Sequence, residues 1–254
     1  MADAVEPTSP FHFEGDNGDA VVLVHGYTGH PGHFRPLADR LTAIGYTVIA
    51  PVLAGHRGSP EEMAEAGWRE WVESVEEAAS AVSDHRRVHL VGLSLGGLLS
   101  LIVAGPTAAA SIVTINSPVL LYRLRAYLAP VARHLIPAYP AEIEPPPDPE
   151  LADLWIQHPE HSTAAVAALV TTIGRAWVAA GRLRRPSLVI QSRDDRTVRP
   201  VSGSLLARRL GARLDWIGGA HNALLDPSRQ VLHEKVVEHL EEVRRGGRTY
   251  GNRH

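Results

Sequence analysis

The chain has 254 residues, of which 44% are hydrophobic, and a formal net charge of -3 at pH 7. A chain of this size can bury a substantial core, and its slightly acidic balance gives no electrostatic reason to expect a nucleic-acid partner. No cysteine is present, which excludes disulfides, thiolate catalysis and cysteine-based metal sites.

The first third of the chain alternates short apolar runs with segments of helical period. Short apolar runs predict buried strands, and apolar residues spaced by three or four predict helices. The predicted elements are a short strand and turn over residues 11–19, strands over 21–24 and 47–50, and helices over 36–44 and 68–82. We expect Leu37, Leu41 and Ile44 to face the core from the first of these helices. We expect Trp68 and Trp71 to anchor the second.

A five-residue motif in the middle of the chain lies between a strand-like run, residues 88–91, and a helix-like run, residues 98–104. It reads Gly92-Leu93-Ser94-Leu95-Gly96. Strand, sharp turn and helix is the context in which Gly-x-Ser-x-Gly forms a nucleophile elbow, with glycines where a side chain would collide with neighbouring backbone. The alternative, a Gly/Ser-rich connection without chemistry, does not account for the flanking runs. We therefore predict that Ser94 is a nucleophile.

The alternation continues with a strand over residues 111–115 and then stops. From residue 118 to about 181 the chain is helical or irregular, contains the proline-rich run 144–149, and is too long for a plain connection. A disordered loop would be one explanation, but residues 151–155 and 166–173 have apolar faces typical of buried helices. We expect a cap inserted over the site.

Beyond residue 181 the alternation resumes, up to a tail from residue 246 that we expect to fray. The predicted elements are strands over 188–190 and 214–217 and helices over 205–210 and 230–243. Short strands alternating with amphipathic helices predict an α/β fold, with a mostly parallel central sheet flanked by helices. Residues 1–117 and 182–254 would form the core, and residues 118–181 the cap.

Candidates for a catalytic acid and base follow two of the predicted strands. Asp194 and Asp195 come after the strand at 188–190, and His221 comes after the strand at 214–217. Loops at the carboxyl edge of a parallel sheet are where open α/β folds place their ligands. The order nucleophile, acid, histidine is one of the known arrangements of a serine triad, and either aspartate could supply the acid.

Six further histidines are paired at spacings that could suit metal ligands. They are His30 and His33, His85 and His89, and His158 and His161. No carboxylate cluster or third ligand lies in the same segments, so we interpret them as surface or loop histidines and predict no metal.

The first residues of the chain include neither a basic region nor an apolar signal core, and no apolar run is long enough to span a bilayer. We expect a cytoplasmic protein with no stable membrane insertion, present as a monomer or small homo-oligomer.

Together these motifs resemble the α/β-hydrolase superfamily, and more narrowly its bacterial carboxylesterases and monoacylglycerol lipases, over nearly all of residues 21–240. The narrower resemblance is carried by His25-Gly26-Tyr27-Thr28-Gly29, Trp71-Val72-Glu73-Ser74-Val75, and the serine motif with Gly97 after it. This chain departs from the family by reading Gly55-His56-Arg57-Gly58 where Gly-His-Gly is common. Tyr27 and Leu95 stand where the family often has Phe and Met.

The resemblance implies a role for each site residue. It implies Ser94 as nucleophile, His221 as general base, and backbone amides of Tyr27 and Leu95 as the oxyanion hole. It favours Asp195 as the acid, because the family's acid lies in an Asp-x-x-Val pattern. It also implies that His25 braces its loop rather than catalysing.

The implied reaction is hydrolysis of a small-molecule carboxylic ester through an acyl-enzyme, with no cofactor. We expect apolar cap residues to hold the acyl chain, and the resemblance suggests a substrate contact for Ile143, which could equally pack inside the cap. Thioesterase, lactonase, amidase and perhydrolase chemistry are alternatives on the same fold. A ligand-binding protein with little turnover is a second alternative, which the intact triad disfavours.

Overall fold

The structure is a computed structural model that describes residues 6–57 and 60–246. Nearly all of the tail predicted to fray, from residue 247 on, lies outside the described residues, as does Gly58. Nine strands are described. They are β1 (Phe11–Phe13), β2 (Asp19–Val24), β3 (Thr47–Ala50), β4 (Arg87–Leu93), β5 (Ser111–Ile115), β6 (Ala138–Pro140), β7 (Glu160–Ser162), β8 (Ser187–Ser192) and β9 (Arg213–Ile217).

Seven of these strands form one sheet in the order β1-β3-β2-β4-β5-β8-β9. Every pairing is parallel except that of β1 with β3, so the predicted mostly parallel sheet is confirmed. All residues of β2, β5 and β8 are buried. Strands covered by helices on both faces need apolar residues on both sides, which explains the apolar runs at residues 20–24, 112–113 and 188–190. The carboxyl ends of the six parallel strands, β2, β3, β4, β5, β8 and β9, therefore meet at one edge.

Eight α-helices are described in the same residues. They are α1 (Arg35–Ala43), α2 (Pro60–Glu65), α3 (Trp68–Ala81), α4 (Leu95–Val103), α5 (Ala129–Ala132), α6 (Thr163–Ala180), α7 (Val201–Leu210) and α8 (Arg229–Arg244). Helices α1 and α8 pack their apolar residues with one face of the sheet. Helices α3, α4, α6 and α7 contribute to the apolar cluster on the other face. The result is a three-layer α/β architecture.

Two expectations about helices need correction, and one helix was not expected. Ile44 lies just beyond the end of α1 and is 42% exposed, while Leu37 and Leu41 are buried. Trp71 is a buried anchor, but Trp68 is only partly buried, and the Arg175 guanidinium lies 3.7 Å above its ring. Helix α2 was not predicted, because its six residues offer little apolar periodicity.

The segment predicted as a cap lies between β5 and β8. It contains two short 3₁₀ helices, α5, and a two-stranded antiparallel ribbon of β6 and β7 that the sequence analysis did not predict. Its last helix, α6, packs against α4, so this helix also belongs to the layer that covers the sheet. Polar contacts that also join the segment to the core include the ion pair of Arg229 with Asp148 and the approach of His30 Nε2 to within 3.1 Å of the Leu154 carbonyl oxygen.

The prediction that no apolar run is long enough to span a bilayer is wrong for helix α6. Its 18 residues are apolar enough by length and composition to do so. Nine of them are buried against the protein, including Ala165, Ile173 and Ala176, which is the behaviour of a core helix in a globular protein.

Candidate active site

Ser94 stands at a sharp turn between β4 and α4. Its backbone has φ 53° and ψ -115°, a conformation that side chains rarely adopt, and its N–H donates to the Ile115 carbonyl oxygen at 2.7 Å. A Cβ on Gly96 would lie 1.9 Å from the Val24 carbonyl oxygen, and one on Gly92 would lie 2.2 Å from the carbonyl carbon of Gly96. The turn can therefore form only with glycine at both positions. This geometry is that of a nucleophile elbow.

His221 lies in the loop after β9 and bridges two of the predicted site residues. Its Nε2 is 3.1 Å from Ser94 Oγ, and its Nδ1 is 2.8 Å from Asp195 Oδ2. The loop turns at Gly219, whose φ is 90°, and the Asp226 carboxylate accepts from the Ala220 N–H at 3.0 Å. Residues 94, 195 and 221, far apart in the chain, thus form one hydrogen-bonded relay.

Of the two aspartates, only Asp195 reaches His221. Its side chain is buried, and its Oδ1 accepts from the N–H groups of Thr197 at 2.9 Å and Val198 at 2.8 Å. These two donors fix the carboxylate so that Oδ2 faces the imidazole. Asp194 is exposed on the same loop.

The loop after β2 lies directly against the serine. A Cβ on Gly26 would lie 3.4 Å from Ser94 Cβ, and Thr28 turns the chain with φ 58°. Tyr27 follows Gly26, and Leu95 is the first residue of α4, where N–H groups lack partners within the helix. Leu95 follows the serine in the chain and Tyr27 lines the same cavity as Ser94; their roles as oxyanion donors remain predictions.

His25 braces this loop, as expected. Its Nε2 accepts from the Leu53 N–H at 3.1 Å, so its Nδ1 carries the proton and donates to the Gly26 carbonyl oxygen at 2.9 Å. Burial, assisted by the neighbouring His56, holds the His25 pKa well below its usual value. The imidazole is therefore a neutral structural link between two loops.

The interpretation of the paired histidines as surface or loop residues is wrong for His33, buried in a short 3₁₀ helix, and for His89, buried in a strand. His30 does lie in a loop, but it is buried as well. The rings of His30 and His33 lie 4.3 Å apart between the β2 loop and the predicted cap. His89 is inside β4 and has its Nδ1 2.8 Å from Ser111 Oγ. Burial, with His30 nearby, lowers the pKa of His33 to about 3. In the described part of the chain, no group of three metal-ligating side chains comes together.

A cavity of about 160 Å³ opens onto the serine. The core contributes the β2 loop, Ser94, His221 and Asn222, while the predicted cap contributes a mixed wall. This wall consists of Ala141, Glu142, Trp155, Ile156, Gln157, His158 and His161. It is more polar than the apolar wall expected from the sequence. An apolar groove of about 290 Å³, lined by Leu128, Ile136 and Val166, lies elsewhere on the segment.

Ile143 is not brought to the site. It is 64% exposed and does not line the cavity, although its neighbours Ala141 and Glu142 do. Packing inside the cap, the other interpretation of this residue, is therefore wrong. A substrate contact for Ile143 has no support from its position here.

One polar residue of the site was not picked out from the sequence. Asn116 follows β5 at the carboxyl edge of the sheet, is fully buried, and donates from Nδ2 to the His221 carbonyl oxygen at 2.8 Å. The available signal was its position: an asparagine directly after a buried parallel strand, at the edge where the catalytic candidates also lie.

Comparison with known proteins identifies a family and relatives for the chain as a whole. A family model described as the alpha/beta hydrolase family matches residues 21–234. The chain is 29% identical to a thermostable monoacylglycerol lipase of Bacillus sp. (strain H-257) over 90% of this chain and 92% of that protein. It is 27% identical to a carboxylesterase of Bacillus subtilis (strain 168) over 92% and 96% of the two chains.

Among solved structures, one from a study of LipS and LipT, two metagenome-derived lipolytic enzymes, superposes with a TM-score of 0.84 at 27% identity. That match covers 94% of this chain and 98% of the other.

Proposed function

The chain belongs to the alpha/beta hydrolase family, and from this premise we propose that it is a serine hydrolase that cleaves carboxylic esters through an acyl-enzyme on Ser94. The observation that carries the proposal is the relay from Ser94 Oγ through His221 to Asp195, at the wall of a cavity. A chain that only bound a ligand would have no need of all three groups in this order.

In the first half of the reaction, His221 Nε2 takes the hydroxyl proton as Ser94 Oγ attacks the ester carbonyl carbon. The buried Asp195 carboxylate holds Nδ1–H and stabilises the imidazolium. When the tetrahedral intermediate collapses, the carbon–oxygen bond to the alcohol breaks and His221 returns the proton to the leaving oxygen. The acyl group is then an ester of Ser94.

In the second half, His221 takes a proton from water as the water oxygen attacks the acyl carbon. Collapse releases the carboxylic acid, and the proton returns to Ser94 Oγ. The proposed donors to the oxyanion in both halves are the backbone amides of Tyr27 and Leu95. Losing one such donor typically raises the barrier by about 2.7–4 kcal/mol. None of these steps needs a metal or an organic cofactor.

We propose small to medium aliphatic esters as substrates, of the carboxylesterase or monoacylglycerol lipase type. Two observations support this class: the modest cavity of about 160 Å³, and the relatives named as a carboxylesterase and a monoacylglycerol lipase. The mixed polar and apolar wall suits an ester with a short chain and a polar alcohol. A cytoplasmic monomer or small homo-oligomer without stable membrane insertion belongs to the same proposal.

The test combines covalent labelling with a substrate panel. A fluorophosphonate probe should label the folded protein on Ser94, and Ser94→Ala should abolish both labelling and turnover. The panel should contain p-nitrophenyl esters of increasing acyl length, monoacylglycerols and acyl thioesters. Absence of labelling in folded protein would refute the serine mechanism. A clear preference for thioesters would refute the ester class while leaving the mechanism in place.

A further inference from the structure

Asn116 occupies a backbone position that suits few residue types. Its φ is 49°, in the left-handed region, and its N–H continues the sheet by donating to the Ile190 carbonyl oxygen at 2.9 Å. Apart from glycine, asparagine and aspartate are the residues that adopt this conformation most readily. Glycine would satisfy the backbone equally well, so the conformation alone does not account for a side chain here.

The amide of Asn116 uses all of its hydrogen-bonding capacity. Oδ1 accepts from the Ser192 N–H at 2.7 Å and from Gln191 Nε2 at 3.1 Å. Nδ2 donates to Ser192 Oγ at 2.9 Å and to the His221 carbonyl oxygen at 2.8 Å. The amide cannot be turned around, because the Ser192 N–H can only donate and the His221 carbonyl can only accept.

These bonds connect the end of β5 to every member of the relay. Asn116 holds the backbone of His221, and Gln191, bonded to Asn116, places Nε2 3.5 Å from Asp195 Oδ2. The residue before Asn116 accepts from the N–H of Ser94 at 2.7 Å. Two consecutive residues thus hold the backbones of the nucleophile and of the histidine, so the end of β5 sets the distance between them.

We propose that Asn116 is a positioning residue: its Nδ2 hydrogen bond fixes the His221 backbone where the imidazole can reach Ser94 Oγ. The inference rests on the proposed function. The contact from His221 Nε2 to Ser94 Oγ is 3.1 Å, near the upper end of hydrogen-bond distances, so a small slide of the loop breaks it. Misplacement of a catalytic group by about 1 Å can lower a rate by about 10²-fold.

The alternative is that Asn116 only satisfies buried polar groups at the sheet edge. A matched pair of substitutions separates the two roles. Asn116→Asp keeps the shape, the left-handed backbone and Oδ1, but replaces the donor to His221 by an oxygen. Ser192→Ala removes the acceptor of the other Nδ2 hydrogen, leaves the bond to His221 in place, and lies in the same buried site.

We expect Asn116→Asp to lower kcat for a p-nitrophenyl ester by about 10- to 100-fold at pH 8, with KM within threefold. Fluorophosphonate labelling should slow by a similar factor. Ser192→Ala should keep kcat within twofold of the wild type, even if its Tm falls as much as that of Asn116→Asp. If Asn116→Asp fails to fold, Asn116→Gly, which keeps the backbone conformation and deletes the amide, should show the same loss of kcat.

A spectroscopic readout makes the test independent of turnover. The proton on His221 Nδ1, shared with Asp195, should give a far-downfield NMR signal in the wild type and in Ser192→Ala. It should broaden or vanish in the Asn116 variants. The inference is overturned if folded Asn116 variants keep both the NMR signal and the wild-type kcat. It is also overturned if Ser192→Ala loses as much kcat as the Asn116 variants do. A wild-type protein that has this signal but neither labels nor turns over refutes the proposed function instead.

Discussion

Replacing Asp195 by asparagine tests the relay more sharply than deleting any member of it. The substitution keeps the shape of the side chain, so its effect depends on how the new amide turns. Oδ1 accepts from two backbone N–H groups, those of Thr197 and Val198, at 2.9 and 2.8 Å. An amide nitrogen cannot accept these bonds, so the oxygen of the new amide must take that position.

The NH₂ group of the new side chain then faces His221 Nδ1. Because this group can only donate, Nδ1 must become the acceptor and the proton moves to Nε2. A protonated Nε2 donates to Ser94 Oγ and can no longer accept its proton. The same tautomer change in a serine protease lowers kcat by about 10⁴, which corresponds to a barrier increase of about 5.5 kcal/mol.

The assay is steady-state hydrolysis of p-nitrophenyl butyrate at pH 8 by purified, folded variants. We expect Asp195→Asn to retain about 10⁻⁴ of the wild-type kcat with little change in KM. Asp194→Asn is the matched control: it removes one exposed charge from the same loop and should change kcat by less than twofold. The reasoning is wrong if Asp195→Asn keeps more than a tenth of the activity, or if the two variants lose comparable amounts.

Two further predictions concern the elbow and the buried histidines. Gly96→Ala should destabilise the fold by more than about 3 kcal/mol and abolish turnover, because its Cβ would lie 1.9 Å from a carbonyl oxygen. Gly174→Ala in α6, where a Cβ meets nothing within 4 Å, should raise the Tm slightly; equal Tm values for the two variants would contradict the clash. Burial lowers the pKa of His33 to about 3, and that of His56, His233 and His239 to about 4. The unfolded chain takes up these protons near pH 6.5 while the folded protein does not, so this stability is present above pH 6.5 and lost as the pH falls toward 4. From pH 7 to 5.5 the loss should be about 1 kcal/mol for each histidine and roughly 4–5 kcal/mol for the four. Thermal denaturation followed by circular dichroism should then show a Tm lower by about 10–20 °C; a Tm that stays constant down to pH 5 would refute the effect.

The sequence predicted the central sheet well because most residues of its central strands are buried. Residues 47–50 and 111–115 were predicted as strands with the bounds of β3 and β5. A strand covered on both sides must be apolar throughout, and that pattern is local. The ribbon of β6 and β7 left no such signal, because each strand has three residues and paired residues lie twenty or more positions apart in the chain.

The part of the site that could be predicted from the sequence is the turn at Ser94, because a short motif specifies its backbone geometry. The glycines around Ser94 report a turn that only glycine permits, and this is a local property of the chain. Asn116 is different, because its amide bonds to residues 75 to 105 positions further along the chain. The burial of His30 and His33 likewise comes from two segments packing together, and spacing within one segment could not reveal it.

The strained backbone of Ser94 also bears on how this chain can change over generations. Its φ of 53° and ψ of -115° give it a conformation that costs about 1–3 kcal/mol in a residue other than glycine. A single codon change to glycine would relax that strain and remove the hydroxyl in one step. A lineage that no longer requires the reaction therefore has a stabilising route to an inert copy, so a serine retained at this position in a descendant is a sign of continuing selection for chemistry.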